Sequence, residues 1–133
     1  MNGLSHRRIM IGAWNSLPEE MRRMPDISPE LVGNAGNYPD YFDDPTRPDH
    51  DKEQIDPDWK TYTFYPEETG TRTLHSFPAP PADQWKRIRV YTYLFRRMTG
   101  ALREKRFPEF IKFAGCLSHG LGDATQPAHL GPD

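Results

Sequence analysis

The sequence predicts an all-α domain carrying one long proline-rich loop region, and three observations point there. An apolar stripe recurs at three- and four-residue steps from Ala82 to about Arg106. Pro108 opens a second helical run. Eight prolines, from Pro39 to Pro81, interrupt the stretch from Asn37 to Ala82.

Taken in order, the first element is a helix started by Ser5, with Ile9, Ala13 and Trp14 on its apolar side and an end near Leu17. Ser28, followed by Pro29 in the favoured first helical position and Glu30 in the first turn, predicts a second, short helix to Gly33 or beyond. From Asn37 to Ala82 prolines break every candidate element. A structureless stretch of that length inside a compact domain is uncommon and tends to be functional. Next, Trp85, Ile88, Tyr91, Phe95, Met98 and Leu102, with arginines and lysines between them, predict a long amphipathic helix. Its aromatic stripe is expected to pack in the core rather than to form a ligand platform. The last helix runs through Phe110, Ile111, Ala114, Leu117 and Leu121 until Pro127 stops it.

Bulk properties exclude several function classes. At 133 residues the chain is one domain or part of one. It is 35% apolar and 27% charged, with 14 prolines, which favours loops without reaching the bias of a disordered chain. A net charge of -2 gives no overall field to attract nucleic acid or an anionic membrane, so any phosphate binding must be local. Cys116 is the only cysteine, which rules out an intramolecular disulfide and a multi-thiolate zinc site. The first twenty residues hold His6-Arg7-Arg8 and no long apolar stretch, so neither an intact secretory signal nor a membrane span is expected there.

Metal ligation is the chemistry that the polar residues suggest. His119 and Asp123 stand four residues apart on the last helix, a spacing that projects both side chains from one face toward a common ion. A surface ion pair is the ordinary meaning of a lone His-x3-Asp, but the run Phe113-Ala114-Gly115-Cys116-Leu117-Ser118 places this one on an inward face. His129 follows Gln126-Pro127, where a turn can bring a second imidazole back.

The stretch from Phe113 to His129, with its His-x3-Asp-x5-His pattern and its Gly-Asp and Gln-Pro-x-His pairs, resembles the signature helix of the zinc-dependent phospholipases C and the related fungal single-strand-specific nucleases. The resemblance implies an all-α phospholipase C/nuclease-like fold, of which residues 1–133 are the amino-terminal part, and a hydrolase of phosphodiester bonds using up to three zinc ions. By it His119 and Asp123 hold one zinc, Asp123 bridges to a second, and His129 holds another. His6 is similar to the histidine of the family's first helix, which shares a zinc with an amino-terminal tryptophan whose place Met1 takes here. On composition alone, a solvated His6 beside Arg7 and Arg8 is an equal alternative. Asn37-Tyr38-Pro39-Asp40-Tyr41 resembles the family's aspartate loop, which favours Asp40 over Asp43 and Asp44 as the residue that ligates the first zinc or orients the attacking water. His75, in the apolar frame Leu74-His75-Ser76-Phe77, is preferred to His50 as the remaining histidine.

Family members carry a later His-x3-Glu or His-x3-Asp pair, so the chain reads as truncated, with a carboxyl-terminal fragment or second chain completing the site and low activity expected alone. The implied substrate is a phospholipid or a nucleic acid. The phospholipid is favoured by the Tyr-Pro-Asp-Tyr loop. A single-strand nuclease and a non-catalytic, zinc-stabilised helical domain are the alternatives. The resemblance also implies secretion.

Overall fold

A computed structural model describes residues 3–42, 46–61 and 84–124, and these are all-helical. Six α-helices occur among them: α1 (Gly3–Asn15), α2 (Pro29–Ala35), α3 (Tyr38–Phe42), α4 (Asp49–Ile55), α5 (Gln84–Arg103) and α6 (Phe107–Ala124). Short 3-10 turns at Met21–Arg23 and Trp59–Thr61 complete the set. None of the described helices is long and apolar enough to cross a membrane.

Helix α6 organises the fold, packing against α5, α2, α1 and α3. It buries Phe110, Ile111, Phe113 and Cys116, a spread wide enough to serve two apolar clusters. One joins Tyr38 of α3, Val90 and Leu94 of α5, and Phe113 and Cys116. The other joins Met10 of α1, Val32 and Ala35 of α2, Ala101 of α5, and Phe110 and Ile111.

The structure corrects several sequence expectations. Ser5 lies inside α1 rather than capping it, because the helix begins at Gly3 and turns His6 and Met10 inward, one turn apart. Ser28 does cap α2, its hydroxyl accepting from the Leu31 amide at 3.0 Å with Pro29 in the first turn. The proline-rich region is not uniformly broken, since α3, α4 and a 3-10 turn fall within its described part. Pro39 stands second in α3 and Pro48 is the residue that precedes α4. At a helix start proline removes only an amide that had no intrahelical acceptor, so there it starts helices rather than ending them.

The α5 stripe also divides. Val90, Leu94 and Ala101 are fully buried, whereas Trp85, Ile88 and Phe95 are 44%, 66% and 53% exposed. The helix has apolar residues on two faces, and the smaller, tightly packing set took the core. At its carboxyl end Lys105 adopts φ 59°, while the Arg106 amide donates to Ala101 O at 2.8 Å and the Lys105 amide to Leu102 O at 3.1 Å. This is a Schellman ending, with lysine where glycine is usual.

Candidate metal centre

Two glycines set the backbone that supports the site. A Cβ on Gly115 would stand 2.3 Å from the Ala35 carbonyl group, so only glycine lets α6 approach α2 this closely. A Cβ on Gly36 would stand 2.8 Å from His6 O, so the end of α2 also lies directly on α1. These contacts bring His6, the Gly36 carbonyl and His119 into one buried space.

The next segment delivers a carboxylate. Asn37 N donates to Asn34 O at 2.9 Å and Asp40 N to Asn37 O at 3.0 Å, carrying the chain from α2 into α3. Buried Tyr38 fixes α3, its hydroxyl donating to Asp56 Oδ2 at 3.2 Å and its ring meeting Phe42 edge-on at 5.0 Å. Asp40, two residues on, then faces His119, its Oδ1 lying 3.4 Å from His119 Nε2.

His6 and His119 are both buried, and their rings stack with centroids 3.6 Å apart and planes 14° from parallel. His119 Nδ1 lies 2.9 Å from Gly36 O. A carbonyl only accepts, so Nδ1 carries the hydrogen and donates it. Nε2 of a neutral ring then presents a lone pair to the Asp40 carboxylate, another acceptor. Two acceptors at that separation require a cation between or beside them, either a proton on Nε2 or a metal ion.

The donor set suits zinc. One donor atom from each of His6, Asp40 and His119 can be chosen so that all three lie within 4.8 Å of one another. Ligand atoms around a tetrahedral zinc stand about 3.4 Å apart, so small side-chain rotations would close the set. The hydrogen bond from His119 Nδ1 to a backbone carbonyl is the outer-shell support typical of a metal-bound histidine. The Asp40 side chain is 39% exposed, giving the cluster a solvent-facing side.

His6, Asp40 and His119 meet, although the resemblance assigned His6 to a different zinc from His119. A solvated His6 is excluded by its burial. The backbone of Asp123 lies on α6, one turn beyond His119. Its side chain, together with His75 and His129, is outside the described residues. His50 is exposed and lies 3.1 Å from Asp51. Sequence reasoning missed the supporting role of Gly36 and Gly115; the small-residue run around Gly115 was the signal available for one of them.

An apolar groove of about 510 Å³ between α1 and α6 adjoins this cluster. Ile9, Trp14, Leu117, Leu121 and Gly122 contribute to its lining. Gly122 is its nearest approach to the cluster: a Cβ built there would lie 3.5 Å from both His6 Nδ1 and Ile9 Cδ1, although His6 itself does not line the groove. No family model matches the chain, and no curated protein or solved structure matches it.

Proposed function

We propose that this chain forms the metal-binding part of a zinc-dependent phosphodiester hydrolase of the phospholipase C type. The observation that carries the proposal is the opposed pair of His119 Nε2 and Asp40 Oδ1 at 3.4 Å, with Nδ1 already committed to Gly36 O. His6, Asp40 and His119 would hold the ion. When bound, zinc would acidify a water molecule and offset charge on the phosphoryl oxygens. Asp40 has the exposure to orient the attacking water, and the burial of His6 and His119 keeps bulk water from competing for their nitrogens. The adjoining apolar groove supports a phospholipid over a nucleic acid, because it can shelter hydrocarbon beside the reacting phosphate.

Assays of the full-length native polypeptide on a chromogenic phosphodiester, phosphatidylcholine micelles and single-stranded DNA, with zinc or with chelator, test this reading. Zinc-dependent release is expected, fastest on phosphatidylcholine. Asp40→Asn should reduce it by about 10²-fold or more, the scale expected for loss of a ligand and water-orienting group. Preferential cleavage of DNA would move the substrate assignment to the nuclease branch, and no zinc-dependent cleavage of any substrate would overturn the proposal.

A further inference from the structure

Helix α5 contains six basic residues and no acidic one, although the whole chain has a net charge of -2. Its outward face carries Trp85, Ile88, Arg89, Thr92, Phe95 and Arg96, all exposed and recurring at three- and four-residue steps. Large apolar side chains and cations therefore share one solvent-facing surface. The core does not need that surface, because Val90, Leu94 and Ala101 already fill the buried side.

We propose that this face of α5 is an attachment surface for an anionic lipid bilayer. Trp85, Ile88 and Phe95 would enter the boundary between headgroups and acyl chains, while Arg89 and Arg96 would meet lipid phosphates. Charge complementarity identifies the occupant: an acid-free helix face meets an anionic surface without repulsion. Apolar character then separates a bilayer from a nucleic acid. Ile88, the most exposed of the three at 66%, has no ring on which a base could stack. The Trp85 ring already has the Arg89 guanidinium 5.1 Å and the Lys86 ammonium 5.8 Å from its centroid. Tryptophan flanked by cations is the amphipathic arrangement favoured at headgroup depth. This attachment needs no metal, so it stands or falls separately from the hydrolase reading.

The test is co-sedimentation of the full chain, in chelator, with vesicles of phosphatidylcholine alone or containing phosphatidylserine. Binding is expected only to the phosphatidylserine vesicles and should weaken with added salt. Arg89→Gln with Arg96→Gln should weaken it by about 30-fold, each charge contributing about a factor of five. Ile88→Ser with Phe95→Ser should weaken it at least as much without altering the helical circular dichroism, because both side chains are exposed. Binding by both variants as tight as that of the wild-type chain, or no binding by the wild-type chain, would overturn the proposal. So would tighter binding to a single-stranded oligonucleotide that Arg89→Gln/Arg96→Gln abolishes and Ile88→Ser/Phe95→Ser leaves intact.

Discussion

Helix α6 carries two buried polar clusters about two turns apart, and they solve the cost of burial in opposite ways. At Lys112 the ammonium lies 2.7 Å from Asp56 Oδ2, the same oxygen accepts from Tyr38, and Asp56 Oδ1 accepts from the Asp58 amide at 3.0 Å. Donors and acceptors match there, and the charges cancel within the protein. At His119 an imidazole nitrogen and a carboxylate oxygen oppose one another beside a second imidazole. A proton on Nε2 or a metal ion would join that pair. Burial alone therefore does not mark a site; the second cluster differs in bringing three potential metal ligands together.

The largest expected effect breaks the balanced cluster. Lys112→Met leaves the Asp56 carboxylate buried without its counter-charge and should destabilise the protein by about 3–5 kcal/mol, measured by urea unfolding. Adding Asp56→Asn removes that charge while keeping groups able to meet Tyr38 and the Asp58 amide. The double variant should recover to within about 2 kcal/mol of wild type, because an uncharged, hydrogen-bonded pair carries less desolvation penalty. A double variant no more stable than Lys112→Met would show that the cluster is not held by charge balance.

Gly115→Ala acts on the other cluster through the backbone. Its new methyl would collide with the Ala35 carbonyl, so α2 must move and take the Gly36 carbonyl away from His119. The expected loss is about 1–3 kcal/mol, from overpacking, together with weaker zinc binding. Unchanged stability and affinity would mean that close contact between α2 and α6 does not position the site.

A smaller change separates stability from ligation. Lys105→Gly relieves the left-handed backbone at the end of α5, far along α6 from His119, and should stabilise the fold by about 1 kcal/mol. Zinc affinity should stay the same. A shift in affinity as large as the shift in stability would tie the two together.

How much could be read from the sequence follows the same division. The helices at Ser28-Pro29 and Pro108 were legible because capping and proline geometry are local. His119 and Asp40 were singled out by motif, and the structure brings them to 3.4 Å of one another despite their separation in sequence. The direction of α5 was not legible, because two faces are apolar and only the packing of Val90 and Leu94 decides between them. The Asp56-Lys112 pair was invisible for a related reason: its partners are 56 residues apart in number and each looks like an ordinary surface charge. The prolines misled where position within a helix, rather than their presence, governs their effect.

The proposed function requires α1, α3 and α6 to contribute one ligand each to a common zinc. Isothermal titration with zinc, checked by metal analysis after dialysis, should be run on the wild-type chain and on His6→Ala, Asp40→Asn and His119→Ala, each first shown to be folded by circular dichroism. Zinc is expected to bind the wild type, and each substitution to weaken one site by at least about 10-fold, the effect of removing a protein ligand from a tight site. Wild-type protein that binds no zinc, or variants that all retain its stoichiometry and affinity, would contradict it.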